Sequence, residues 1–322
     1  MRCTSRARLA VFLTLISVLI SGCGSSVSLP FNADSAGTAF NIRSKPEKSE
    51  IRSFASDICV CDDDFDSMSL AIDEAEAGGL FDATSRETVY AKNVHQKMNP
   101  ASLTKVMTAY IALKYGHLED TLTASSNVLI TESGAQLLGI KEGDKMTLEQ
   151  ALYALLLYSA NDAGVLIAEY LSGSVEKFAA VMNDEALKIG ATNTHFTNPH
   201  GLTDDEHYTT AYDLYLMFNA AMQYEEFRRI INSVEYKSEY KDREGNPKKI
   251  EITTTNAYLK GDREAPEGVN VIGGKTGTTK AAKSCLILLS NGANEHTYIS
   301  VILGSVDHDS LYRNMTTLLT DI

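Results

Sequence analysis

Pro100-Ala-Ser-Leu-Thr-Lys-Val-Met-Thr-Ala109 sets a serine and a lysine three residues apart at the head of a helical pattern. Residues i and i+3 share one face of a helix, so this spacing puts the Lys105 amine within reach of the Ser102 hydroxyl. A serine hydroxyl is a weak nucleophile until a neighbouring base takes its proton. Lysine is such a base only when desolvation or a nearby positive charge lowers its pKa. A helix start also offers free backbone N–H groups to a developing oxyanion. The spacing alone decides nothing, because Ser174-Val-Glu-Lys177 and Ser238-Glu-Tyr-Lys241 repeat it.

Two more short patterns follow in the chain. Ser159-Ala-Asn161 comes after an apolar helical stretch and is imitated by Ser125-Ser-Asn127. Ser and Asn are common helix caps, so this pattern too is ambiguous by itself. Lys275-Thr-Gly277 occurs once, after Val271-Ile272-Gly273-Gly274 and before Thr278. A strand here presents Lys and Thr side chains, and Gly277 lets another backbone approach closely.

Around these motifs the periodicity predicts strands at Ser69–Ile72 and Glu87–Tyr90, with Gly78-Gly79 as a turn region between them. Helical patterns cover Ser102–Tyr115, Thr147–Tyr158, Asn161–Leu171, Ser174–Ile189 and Thr209–Gln223. Thr147 with Gln150 reads as a capping box. Tyr236–Lys241, Lys249–Thr255, Val271-Ile272, Ser284–Ser290 and Thr297–Gly304 read as strands, and a last helix starts near Asp307. Strands at both ends and helices between them imply an α+β fold: an antiparallel sheet built from both chain ends, flanked by helices, with an inserted, mostly helical subdomain.

The chain has 322 residues and a formal net charge of −13. An acidic balance argues against nucleic acid as a partner, because phosphate neutralisation needs a basic face. No C-x-x-C or H-E-x-x-H spacing supports a zinc site, and no cofactor is expected. Arg2, Arg6 and Arg8 precede the apolar run Leu9–Ile20, which is too short to span a bilayer and suits a secretory signal. Ile20-Ser21-Gly22-Cys23 is similar to the lipobox of bacterial lipoproteins. Residues 1–22 are therefore expected to be a signal peptide, with Cys23 lipidated. Residues 23–66, rich in Ser and Asp, are expected to be a tether, and 67–322 the folded domain. The protein is expected outside the cytoplasm, held to the membrane by its N-terminal lipid. Cys59 and Cys61 are two residues apart, too close for an unstrained mutual disulfide, and are read as free thiols in a loop. Nothing in the pattern suggests an interface, so a monomer is the default.

In combination the three motifs are specific. The order S-x-x-K, S-x-N, K-T-G belongs to the penicillin-interacting serine enzymes. The chain resembles the low-molecular-mass penicillin-binding proteins, the serine-type D-Ala-D-Ala carboxypeptidases. The resemblance runs from about Ser67 to Ile322 and rests on the stretch quoted first, Ser159-Ala-Asn-Asp-Ala163 with Ala168-Glu169, Asn198-Pro-His-Gly-Leu202, His207-Tyr-Thr-Thr-Ala-Tyr-Asp-Leu214 and Gly274-Lys-Thr-Gly277. It implies a β-lactamase/transpeptidase-like fold. It further implies Ser102 as the acylated nucleophile, Lys105 as its base and Ser159 as the proton relay to the leaving D-Ala. Asn161 would hold the substrate amide, Thr276 the terminal carboxylate and Lys275 the positive potential. The backbone N–H groups of Ser102 and Thr278 would form the oxyanion hole. The implied ligands are the D-Ala-D-Ala end of a peptidoglycan pentapeptide and, as inhibitors, β-lactams. Alternatives on the same scaffold are a DD-endopeptidase, a β-lactamase and a relative that binds muropeptide without turnover. His200 is read as a loop-ordering residue and His207 as a surface histidine.

The chain departs from the family in places. Many relatives carry Arg where Tyr212 stands and another Arg in the lead-in to the last helix, where this chain has Ser310-Leu-Tyr-Arg313. Ala282-Lys283 replaces the usual Ala-Gly. A tyrosine does not supply the guanidinium fork that grips a carboxylate. Many relatives add a C-terminal β domain and an amphipathic helix; neither is expected here, and a lipid at Cys23 would replace that anchor.

Overall fold

β8 (Lys283–Asn291) and β9 (Thr297–Ser305) are almost uninterrupted apolar runs and are buried on both faces. Alternate side chains feed two separate cores, as the twofold strand period requires. Cys285, Ile287 and Leu289 with Ile299, Val301 and Leu303 face the helical block. Leu286, Leu288, Tyr298 and Ile302 face the last helix, α8 (His308–Leu319), and meet Leu311, Tyr312 and Met315. The structure is a computed structural model and describes residues 54–64 and 70–322.

The sheet order is β2-β1-β9-β8-β7, antiparallel throughout. β1 (Ala77–Asp82) and β2 (Glu87–Lys92) come from one end of the chain, and β7 (Asn270–Thr279) is the opposite edge. The expected sheet from both chain ends is thus present. Its first strand, however, is Ala77–Asp82 and not Ser69–Ile72. Gly78 and Gly79 lie inside that strand, not in a turn. A Cβ on Gly78 would stand 2.6 Å from Ile72 Cδ1 and 2.9 Å from the Val301 carbonyl, so glycine is there for close approach.

Between β2 and β7 lies the helical block: α1 (Thr104–Tyr115), α2 (Leu148–Leu156), α3 (Asn161–Ser172), α4 (Val175–Lys188), α5 (Ala211–Ala221) and α6 (Glu225–Asn232). Residues 104–112 of α1 are all buried, which marks a central helix and not a one-sided amphipathic one. The capping box on α2 is complete: Thr147 Oγ1 accepts from Gln150 N, and Gln150 Oε1 accepts from Thr147 N. A short helix α7 (Ala257–Lys260) precedes β7. β3 (Thr121–Thr123), β4 (Lys145–Thr147), β5 (Glu235–Lys241) and β6 (Pro247–Thr253) form a second, four-stranded sheet.

The described residues begin at Phe54, within the stretch 23–66 expected as a tether. Residues 54–64, read from sequence as tether, pack along β2 and α5. Cys59 N donates to Tyr215 Oη at 2.7 Å, Tyr212 Oη donates to Cys59 O at 2.9 Å, and Asp64 accepts from the backbone of Asn93 and Val94. The stretch Phe54-Ala-Ser-Asp-Ile-Cys-Val-Cys-Asp-Asp-Asp64 shows no sustained period, yet its backbone is held by tyrosines more than 150 residues away. Cys59, Cys61 and Cys285 are free thiols, all buried. Cys23 and the expected signal segment lie outside the described residues.

Candidate active site

Ser102 sits in the single 3₁₀ turn Ala101–Leu103 immediately ahead of α1. Ala101 is held at φ +48°, a left-handed conformation that a non-glycine residue adopts only under constraint. One turn on, Lys105 Nζ lies 2.8 Å from Ser102 Oγ. The same nitrogen lies 2.7 Å from Asn161 Oδ1 and 2.6 Å from the His200 carbonyl. Two of its three partners are pure acceptors, and the third is a hydroxyl. A neutral amine has two N–H bonds to give and one lone pair to receive, which matches this set.

Asn161 opens α3, and Ser159 precedes it at φ +67°. Lys275 projects from the middle of β7. Its Nζ donates to Ser159 Oγ at 2.9 Å and to the Thr276 carbonyl at 2.7 Å. Each motif thus supplies one lysine or its hydroxyl partner, and the lysines are cross-connected. Gly277 runs directly behind the nucleophile: a Cβ there would lie 3.1 Å from both Ser102 N and the Pro100 carbonyl. The close backbone approach expected from the sequence is therefore present.

A cleft of about 420 Å³ opens over these groups. Its walls include Ser102, Ser159, Asn161, Thr276, Gly277 and Thr278, all but Gly277 named from sequence as site residues. Lys105 and Lys275 lie behind the wall, fully buried. Burial lowers the Lys105 pKa well below the ordinary lysine value, and the charge of Lys275 lowers it further, while Asp162 works in the opposite direction. Burial brings Lys275 down to about 7. Two hydroxyls, those of Ser102 and Ser159, therefore line one cleft, each with a buried lysine of lowered pKa hydrogen-bonded behind it.

His200 orders the loop, as its sequence suggested: its carbonyl accepts from Lys105, and its ring Nδ1 accepts from Leu202 N at 3.2 Å. Burial and the Lys105 charge lower its pKa to about 3. His207 is not a surface residue. It is buried, with Nε2 2.8 Å from Thr104 Oγ1 and Nδ1 accepting from Thr197 N at 3.1 Å. Its neighbours Tyr208 and Thr209 form isolated antiparallel bridges with His195 and Met98, which fix the backbone on its C-terminal side. Its pKa is lowered to about 4, chiefly by burial.

The structure places Tyr212 and Arg313 outside the cleft. Tyr212 lies in α5 with its hydroxyl on Cys59 O, and Arg313 pairs with Glu74 on the surface. The cleft instead contains His308, at the start of α8, and Thr255, whose Oγ1 is 2.5 Å from Thr276 Oγ1. Neither carries a motif. Gly134, Ala135 and Gln136 supply a further wall from an irregular loop that no periodicity marks. The three imitating patterns resolve as caps or strand positions: Ser174 caps α4, Ser125 caps a 3₁₀ turn, and Ser238 and Lys241 lie in β5. Among the described residues, no group of three or more His, Cys, Asp or Glu side chains is placed to hold a metal ion.

A family model described as Peptidase_S11, D-alanyl-D-alanine carboxypeptidase, matches residues 68–307. The chain belongs to this family. It is 33% identical over 237 residues to D-alanyl-D-alanine carboxypeptidase DacF of Bacillus subtilis, covering 72% of this chain and 58% of that protein. It is 32% identical over 257 residues to DacC of Escherichia coli, covering 77% of this chain and 60% of the relative. The chain thus spans about three fifths of these curated relatives. The crystal structure of the Streptomyces K15 DD-transpeptidase is similar with a TM-score of 0.71 at 25% identity, covering 80% of this chain and 98% of that one.

Proposed function

We propose that this member of the family is a serine-type D-Ala-D-Ala carboxypeptidase. The observation that carries the proposal is the pair of linked contacts in one cleft, Lys105 to Ser102 and Lys275 to Ser159. Lys105, neutral at working pH, takes the Ser102 proton as Oγ bonds to the penultimate D-Ala carbonyl carbon. The oxygen that becomes negative faces the N–H groups of Ser102 and Thr278. The C–N bond breaks as Ser159 passes a proton to the departing D-Ala amine and takes in its place the proton that Lys105 received from Ser102, which leaves Lys105 neutral again. Water then adds to the acyl carbon, frees the shortened peptide and restores Ser102. Asn161 holds the substrate amide. Thr276 hydrogen-bonds the terminal carboxylate in the field of Lys275, which gives an acidic protein a local well for an anion. The lost guanidinium at position 212 does not weaken this reading, since Tyr212 does not line the cleft.

β-Lactams acylate the same serine in this scheme and leave slowly. No Asp or Glu lines the cleft among the described residues, so no carboxylate is placed to activate the deacylating water as a β-lactamase would need. In the cell the enzyme acts outside the cytoplasmic membrane as a monomer, anchored by a lipid on Cys23 and trimming peptidoglycan stem peptides. The leader and the Ile20–Cys23 pattern support that location. Loss of the protein from the membrane fraction in Cys23→Ala would test it.

The catalytic test is intact mass after incubation with penicillin, alongside D-Ala release from a diacylated pentapeptide mimic. The parent should gain one penicillin and release D-Ala, and folded Ser102→Ala should do neither. A parent that folds yet forms no adduct and releases no D-Ala overturns the proposal.

A further inference from the structure

Asp162 belongs to none of the three motif positions and does not line the cleft, yet it is almost fully buried in the first turn of α3. Its carboxylate accepts three backbone N–H groups from one loop: Leu138 at 3.0 Å, Gly139 at 2.8 Å and Ile140 at 3.0 Å. It also accepts from Ala163 N at 3.1 Å. The neighbouring residue joins the same loop, since Asn161 N donates to the Gln136 carbonyl at 2.8 Å. Gly134, Ala135 and Gln136, just upstream, form a wall of the cleft. One dipeptide therefore does two things. The Asn161 side chain touches Lys105, and Asp162 with the Asn161 backbone fixes the wall opposite.

The charge matters as well as the bonds. The groups that act on Lys105 electrostatically are Lys275 from β7 and Asp162 from α3, the latter next in the chain to its partner Asn161, and the Lys105 charge in turn acts on the buried histidines His200 and His207 of the 197–209 segment. Lys275 favours the neutral amine of Lys105, and Asp162 is the negative group that favours its protonated form. A carboxylate held in place by backbone N–H donors cannot swing to Lys105 and pair with it, so it acts from a fixed position.

We propose that Asp162 is a positioning residue for acylation: its buried carboxylate clamps the 138–140 loop, and through it the 134–136 wall of the cleft, and from its place next to Asn161, the residue that touches Lys105, its fixed charge sets the low-pH limit at which Lys105 works. This rests on the reading of Ser102 as the acylated serine.

The test is the rate of penicillin acylation of Ser102 against pH, by intact mass, for the parent, Asp162→Asn and Asp162→Glu. Thermal melting confirms folding, and hydrogen exchange reports on 134–140. Asp162→Asn removes the charge and part of the clamp. Its plateau rate should fall by about tenfold, from misplacement of a cleft wall. Its acid limb should move to lower pH, because the group that favours protonated Lys105 has gone. Asp162→Glu keeps the charge but misfits the loop. Its plateau should fall and exchange at 134–140 should rise, while its acid limb stays with the parent. A merely structural residue would change the plateau and melting and leave the limb of Asp162→Asn in place, and that result overturns the proposal. So does a limb of Asp162→Glu that moves as far as that of Asp162→Asn, or an unchanged rate and unchanged loop exchange in both variants. A parent that is never acylated at any pH would instead refute the carboxypeptidase reading itself.

Discussion

Lys105 and Lys114 stand on the same helix, nine residues apart in sequence, and have opposite electrostatic fates. Lys105, at the head of α1, is fully buried among a hydroxyl, an amide oxygen and a carbonyl. Lys114, in the last turn, is partly exposed and donates to Glu185 at 2.5 Å. Burial drives the first pKa far down. The Glu185 hydrogen bond drives the second up. Glu185 mirrors this. Burial would raise its pKa, but hydrogen bonds from Lys114, Lys188 and Tyr115 outweigh burial and hold it at about 2. A lysine becomes a base when it is buried with no carboxylate in hydrogen-bond contact and a strut when it donates directly to a buried one. The same helix carries one of each.

Exchanging each lysine for methionine tests that contrast most strongly. Lys105→Met keeps an unbranched buried side chain but removes the base, and penicillin acylation should fall by at least about a thousandfold. Lys114→Met should acylate within about twofold of the parent, because Glu185 retains Lys188 and Tyr115 and the change lies at the far end of the helix. Comparable losses in both variants would break the contrast and point to α1 as a whole, not to its first turn. Time courses by intact mass read both.

The strut end makes its own pH prediction. Glu185 has a folded pKa depressed below its ordinary value of 4.5, down to about 2. A depressed carboxylate contributes stability that is fully present above its unfolded pKa and disappears as pH falls through the folded one. Glu185→Gln should therefore lower stability by about 1–3 kcal/mol at neutral pH, the cost of weakening hydrogen bonds to a buried charged group. The gap to the parent should close between pH 4.5 and 2. Urea unfolding at a series of pH values measures it. A gap that persists unchanged at low pH would mean that the variant loses packing and not charge.

Legibility in the sequence follows the same division. Ser102, Lys105, Ser159, Asn161, Lys275, Thr276 and Thr278 can be named because three short motifs, each ambiguous alone, occur in one order and carry a family resemblance. The sheet from both chain ends is readable from apolar runs such as Ser284–Ser290. Asp162, Gln136, Thr255 and His308 are not, because their contribution depends on contacts between segments with no common period: a loop without regular structure, the approach to a strand, the first turn of the last helix. His207 misleads because its burial comes from Thr104, more than 100 residues away. Gly78-Gly79 misleads because a close approach and a turn call for the same residue. The 54–64 strap escapes notice because a stretch without a sustained period does not announce that tyrosines elsewhere hold its backbone.

That strap gives the smallest expected effect and removes a worry raised by sequence. An aromatic residue at 212 suggests that carboxylate capture has been lost. The structure instead gives Tyr212 a packing role, since its hydroxyl donates to the Cys59 carbonyl and its ring lies 5.2 Å from that of His95 and 6.1 Å from that of Phe81. Tyr212→Phe keeps the ring and removes one hydrogen bond, which should cost about 0.5–1.5 kcal/mol of stability. Neither Ser102, Lys105 nor the cleft wall touches this hydroxyl, so penicillin acylation and kcat/KM for a D-Ala-D-Ala peptide should stay within about twofold of the parent. A selective rise in KM with unchanged kcat would show that the strap side of α5 does shape carboxylate binding. In that case, the division of the molecule into a chemical end and a structural end would not extend beyond α1.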